Sequence, residues 1–187
     1  MSQRNAVYTG VVVKPKDPKK LGRVRVSLPS FGEELWARRA TLAAGDGRGT
    51  WFVPDVGDEV LVAFENGDSR LPIVVGALWN ASQHPPESNP ERAVVKTKHG
   101  STIVLDDGNG SVEVTDANGY AVTLASSGVT VTAASKVTVT AGTVEIDAAM
   151  IKVDAGMAKF SGVLQCDTLI ANSIVASSYT PGVGNIW

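Results

Sequence analysis

Apolar and polar residues alternate along most of the chain, and the alternation changes character near residue 93. Val7 to Val13 is a β-branched run closed by Lys14-Pro15-Lys16-Asp17-Pro18, where two prolines end any ladder. Gly22-Arg23-Val24-Arg25-Val26-Ser27-Leu28 alternates with period 2, the pattern of a strand with one buried face. Pro29-Ser30-Phe31-Gly32 interrupts it, and Leu35-Trp36-Ala37-Arg38-Arg39-Ala40 resumes an extended pattern. Thr41 to Gly49 reads as a Gly-rich loop, and Val60 to Glu65 as the next strand. Asn66-Gly67-Asp68 predicts a hairpin turn because both turn positions tolerate positive φ. Leu71 to Trp79 is the return strand. About five strands at short spacing, with no amphipathic helix, predict a small closed barrel of OB type.

Beyond residue 93 the pattern becomes a repeat. Val129-Thr-Val-Thr-Ala-Ala-Ser-Lys136 is followed by copies starting at Val137, Val144, Ile151 and Ala158, the last ending at Gly162. Each copy reads apolar, polar, apolar, polar, then small residues, and successive starts lie 8, 7, 7 and 7 residues apart. Weaker copies precede them at Val112-Glu-Val114 and Val122-Thr-Leu124. Such internal periodicity points to a solenoid-like architecture.

The period decides which one. A single-chain β-helix must close every turn with its own residues, and three strands with corners need far more than seven. Seven residues supply one strand and one corner, hence one face of a prism. Three copies of the chain wound about one axis supply the other faces. On this register Val131, Val139, Ile146, Val153 and Phe160 point to the shared axis and form a trimer core. The Ala-Gly, Ala-Ala and Ser-Gly pairs suit crowded corners. A sandwich of short hairpins would need turn residues at every reversal, and the corners of this repeat carry no Asn-Gly or Pro.

Charge and composition narrow the function classes. The 187 residues carry a net charge of −2, which argues against nucleic acid as the main partner. Residues 1–92 hold 12 Lys/Arg and 11 Asp/Glu, and residues 93–187 hold 5 and 8, so the halves differ in charge as well as pattern. Lys14, Lys16, Lys19, Lys20, Arg23 and Arg25 cluster around one turn; the aromatics near it, Trp36, Trp51, Phe52 and Phe64, sit in strand-like contexts and are assigned to the core. A solvated or protein-facing loop is therefore favoured over a stacking platform for bases. No apolar run approaches the ~20 residues that span a bilayer, and Met1-Ser2-Gln3-Arg4-Asn5 lacks the apolar stretch of a secretory signal.

Side-chain chemistry is sparse. One cysteine, Cys166, allows no internal disulfide and is expected as a buried structural thiol. His84 and His99 are the only histidines. Asp106-Asp107-Gly-Asn-Gly lacks the spaced ligands of a calcium loop and reads as a hairpin turn; Asp116 adds no ligand pattern to it. Glu33-Glu34 has no second acid at glycosidase spacing. The expectation is no enzyme, no metal and no cofactor.

Asp17-Pro-Lys-Lys-Leu-Gly-Arg-Val-Arg-Val26, Trp36-Ala-Arg38, Phe52-Val-Pro-Asp-Val-Gly-Asp-Glu-Val-Leu-Val-Ala-Phe-Glu-Asn-Gly-Asp68 and Pro72-Ile-Val-Val-Gly76 together resemble the N-terminal domain of phage baseplate assembly protein V and the VgrG spikes. Lys96-Thr-Lys-His-Gly-Ser-Thr102 resembles that family's entry into its spike. The resemblance implies an all-β chain: an N-terminal OB-fold barrel (1–80), a Pro-rich linker (81–93), an intertwined triple-stranded β-helix forming a trimeric β-prism needle (94–176), and a C-terminal tip segment (177–187). It implies a homotrimeric central spike of a contractile injection machine, assembled in the bacterial cytoplasm, which caps the tail tube, joins a baseplate hub or tail-tube protein at the barrel end and transiently contacts the target envelope. At the other end Asn185, Ile186 and Trp187 would dock a PAAR-type tip protein, or else plug the chain's own strand stack. Three departures stand out: the linker is too short for a lysozyme domain, no hub domain precedes the barrel, and no histidine follows His99 to form an iron-binding His-x-His tip. A trimeric receptor-binding fibre or adhesin is the alternative, since it would share the prism.

Overall fold

A computed structural model describes residues 4–178, so Asn185, Ile186 and Trp187 lie outside the described residues. The chain divides into two units, Met1–Val137 and Thr138–Trp187.

The first unit opens with five long strands: β1 Tyr8–Lys14, β2 Val24–Leu28, β3 Glu33–Arg39, β6 Glu59–Phe64 and β7 Pro72–Leu78. They close in the order β1-β2-β3-β7-β6. All pairings are antiparallel except β3 with β7, where Arg38 and Arg39 sit opposite Ile73 and Val74 in parallel register and close the barrel. Closure needs strongly bent strands, and the register shifts between Val12 and Lys14 and between Leu61 and Val62 supply that bending. The inward positions alternate as the sequence predicts: Val12, Val24, Val26, Leu28, Ala37, Val60, Val62, Phe64 and Val74 form one buried cluster. Gly10 must be small, because a Cβ there would strike Val26 Cγ1 on the neighbouring strand. The β6–β7 hairpin turns at Asn66 (φ 52°) and Gly67 (φ 73°), both in the left-handed region.

Two details differ from the sequence expectation. The Thr41–Gly49 loop contains a two-residue hairpin, β4 Ala44–Gly45 with β5 Arg48–Gly49. Of the four aromatics assigned to the core, only Phe64 lies there. Trp51 and Phe52 are 71% and 68% exposed, because they follow this hairpin on a loop outside the barrel wall. Trp36 is half-buried beside the Arg23 guanidinium, 5.6 Å from its ring.

Polar groups fix both the entry to the barrel and its first loop. Arg4 is buried, with its guanidinium 3.8 Å from the Phe31 ring centroid and 2.9 Å from Glu33. Asp17 is buried and accepts hydrogen bonds from the backbone N–H of Lys19 and Leu21 and from both Nε and Nη2 of Arg23. The Arg23 guanidinium, together with these N–H donors, holds the Asp17 carboxyl far below the usual carboxylate range.

After β7 the chain is tied down by side chains, more firmly than a Pro-rich composition suggests. Asn80 Oδ1 accepts from the backbone N–H of Ser82 and Gln83, and Asn80 Nδ2 donates to Glu59 at 2.9 Å. Arg92 bridges Glu87 at 2.6 Å and Asp106 at 3.2 Å. Lys98 pairs with Asp55 at 2.8 Å.

An antiparallel meander follows: β8 Arg92–Lys96, β9 Thr102–Asp106, β10 Ser111–Thr115, β11 Ala121–Ala125 and β12 Gly128–Thr132, paired in sequence order. The weak repeat copies Val112–Val114 and Val122–Leu124, and the first strong copy from Val129, are thus strands of this sheet, paired within one chain. Its hairpins carry the polar turns that the later repeat lacks. Asp106 accepts from the N–H of Asn109, and Asp116 from those of Asn118 and Tyr120. Beyond β12 no strand is assigned among the described residues, and the backbone is exposed.

Candidate functional site

The meander presents two unlike faces. Register places Val95, Ile103, Val114, Val122 and Val131 side by side across all five strands. Two residues along, Ala93, Leu105, Val112, Leu124 and Val129 form a second rung on the same face. Every residue of both rungs is apolar, and all but the half-buried Val112 are exposed. The opposite face carries Val94, Val104, Glu113, Thr123 and Thr130, and there Val104 is only 8% exposed. A one-sided apolar sheet left in water is an interaction surface by default.

The same exposure continues through the second unit. The predicted trimer-core residues Val139, Ile146, Val153 and Phe160 are 67–72% exposed, and Val131 is 58% exposed. The structure does not bring these residues together within one chain; they lie in succession along an uncovered segment. Cys166, expected as a buried thiol, is exposed because no intrachain strand covers it.

The backbone of the second unit also carries a periodicity that the sequence reading passed over. It bends at Gly142, Ala149 and Gly156, seven residues apart, as the repeat predicts. After Gly162 the bends fall at Asp167, Asn172 and Ser177, five residues apart. The signal was present as Leu164, Leu169 and Ile174, one apolar residue every fifth position.

The acids singled out in the sequence, Glu33, Glu34, Asp106 and Asp116, are engaged in ion pairs and turns. Glu33 and Glu34 project from β3 to Arg4 and Arg25, at 2.9 and 3.0 Å. Asp106 and Asp116 are turn acceptors, and for Asp106 the Asn109 N–H is the main influence holding the carboxyl below its ordinary value. Among the described residues no group of three His, Cys, Asp or Glu side chains is placed to hold a metal ion.

Comparison with known proteins matches two stretches of the chain. The family described as the type VI secretion system/phage-baseplate injector OB domain matches residues 8–79, the barrel. The phage baseplate V C-terminal trimerisation domain matches residues 92–157, the meander and the seven-residue repeat. The chain belongs to the baseplate V and VgrG-like spike family. Among curated relatives, the type VI secretion system spike protein VgrG1a of Pseudomonas aeruginosa is 33% identical over 96 residues, which is 46% of this chain and 15% of that protein. The actin cross-linking toxin VgrG1 of Vibrio cholerae is 38% identical over 84 residues, 41% of this chain and 7% of that protein. The spike protein VgrG3 of V. cholerae is also 38% identical over 84 residues, 8% of its length. This chain thus spans no more than 15% of any of these three relatives. The all-β architecture with an N-terminal closed barrel agrees with the family's OB domain.

Proposed function

We propose that this chain is the structural central spike of a contractile injection machine, working as a homotrimer that caps a tail tube and punctures the target envelope. One observation carries the reading: within the residues that match a trimerisation domain, the meander leaves one apolar face uncovered, and in the second unit Val139, Ile146, Val153 and Phe160 are uncovered as well. Three such faces packed about a common axis would remove that surface from water. Fully burying one Val or Ile side chain contributes about 1.5–3 kcal/mol, and here each position is used three times. Interchain strand pairing would meanwhile satisfy the backbone groups that the single chain leaves open over the described residues 133–178.

In this reading the barrel spans residues 1–80, the joint 81–93, the needle 94–176 and the tip segment 177–187. Val131, Val139, Ile146, Val153 and Phe160 line the axis. A face of five residues is shorter than a face of seven by about 7 Å at ~3.3 Å per residue, so the prism narrows beyond Gly162. Such a shaft acts by rigidity rather than by chemistry, in keeping with a non-enzymatic role. The barrel end would meet a baseplate hub or tail-tube protein, and Asn185, Ile186 and Trp187 would seat a PAAR-type tip. The decisive experiment is fractionation of particles from cells expressing the tagged chain. Co-sedimentation with tube and sheath supports the spike reading; recovery on the particle exterior as a sheath-independent fibre would replace it with the adhesin alternative.

A further inference from the structure

One side of the barrel is set apart by charge. An open cleft between the β1–β2 loop and the β4–β5 hairpin is lined by Lys20, Arg38, Arg39, Arg48 and Trp51, and no carboxylate lines it. Arg38 is paired with Glu65, but Lys20, Arg39 and Arg48 form no salt bridge among the described residues. Asp46 sits at the tip of the β4–β5 hairpin, outside the lining. The cleft is also preformed. Asp17 gathers the β1–β2 loop, holding Lys20 at φ 56° and Gly22 at φ 72°, both left-handed conformations. Arg39 donates to the carbonyls of Gly22 and Phe52, which ties the two walls together. Trp51, 71% exposed, forms the apolar part of the lining together with Leu21, Ala43 and Ala44.

We infer that this cleft docks an acidic, extended segment of a partner polypeptide, whose carboxylates pair with Lys20 and Arg48 while its backbone and aliphatic stems cover Trp51. The inference rests on the reading of the barrel as the docking end of the spike, and it names the chemistry of that partner. Charge complementarity selects the acidic occupant. Nucleic acid is the less favoured occupant: Arg39 stands over the Trp51 indole, 4.8 Å from the ring centroid, and so takes one of its two faces from stacking bases. Asp58 and Glu59 elsewhere on the barrel, which form no salt bridge among the described residues, would also repel a phosphate backbone.

The test uses the full chain and fluorescence anisotropy with two labelled probes, a Glu–Ser repeat peptide and an oligothymidylate of equal charge. The peptide is expected to bind more tightly, with affinity falling as salt rises. A Lys20→Glu, Arg48→Glu variant should lose at least tenfold in peptide affinity, and Trp51→Ala should lose several-fold. A Lys152→Glu, Lys159→Glu variant, with the same change in net charge, should bind as the parent does. The milder Lys20→Gln, Arg48→Gln variant guards against misfolding and should show an intermediate loss with an unchanged melting temperature. Tighter binding of the oligonucleotide, or equal losses for the cleft and needle variants, would overturn the proposal. Sedimentation of the same samples separates the two readings. A monomer that still binds the peptide contradicts the spike and leaves the cleft standing, whereas a trimer that ignores the peptide contradicts the cleft alone.

Discussion

Asp17 shows how much one side chain can decide. In sequence it is one acid among lysines; in the structure it collects the N–H groups of its own loop and a two-pronged bond from Arg23. Because its folded carboxyl titrates below the ordinary Asp value of 3.8, its contribution to stability is complete above that value and is lost as pH falls toward the folded one. Asp68, held at about 2 chiefly by the Arg70 side chain, behaves the same way. The barrel should therefore melt at progressively lower temperature below pH 4, and Asp17→Asn should lower the melting temperature at pH 7 while flattening this acid dependence. Calorimetry at a series of pH values checks both. Gly10 sets the opposite kind of limit. Gly10→Ala forces a methyl group against Val26 Cγ1 inside a packed wall, so a loss of about 1–3 kcal/mol is expected in urea unfolding.

At the scale of elements, the barrel strands were legible because each buries one face against a core made by its own chain, so period-2 alternation maps directly onto burial. The outlying aromatics were not legible. Trp51 and Phe52 are apolar and near a strand, but the short β4–β5 hairpin carries them outside the wall, and nothing local to residue 51 announces that. The meander was hidden for a different reason. Val122-Thr-Leu124 alternates identically whether its neighbour is Val114 of the same chain or a strand of another, so periodicity alone does not name the partner. The turns did name it: Asp106-Asp-Gly-Asn-Gly and Asp116-Ala-Asn-Gly119 are hairpin chemistry, absent from the corners after Val137. Of the exposed apolar residues, Val131 to Phe160 were singled out from the repeat, whereas the rungs from Val95 to Val122 required register.

This two-sidedness yields paired substitutions. Val122→Asp would place three carboxylates on the apolar face of the assembled sheets, where each unsatisfied buried group costs about 1–3 kcal/mol or more. Thr123→Asp changes the opposite face. The first should block assembly and the second should be tolerated, read by size-exclusion chromatography with light scattering. Val139→Asp and Thr138→Asp make the same contrast in the second unit. Equal tolerance within either pair would mean that the register assigned there is wrong.

For the whole molecule, the surface left uncovered by one chain is the leading physical fact. A barrel with a closed core can stand alone, but the described residues 138–178, whose Val, Ile and Phe side chains are all in water and which pair no strand, do not hold a defined structure as a monomer. Trimerisation should therefore be coupled to folding of the needle and should persist at high dilution. Sedimentation equilibrium on the full chain tests this most directly. The account predicts a single species of three chains across the micromolar range, without dissociation on dilution. A folded monomer at those concentrations, with its second unit protected from proteolysis, would contradict it.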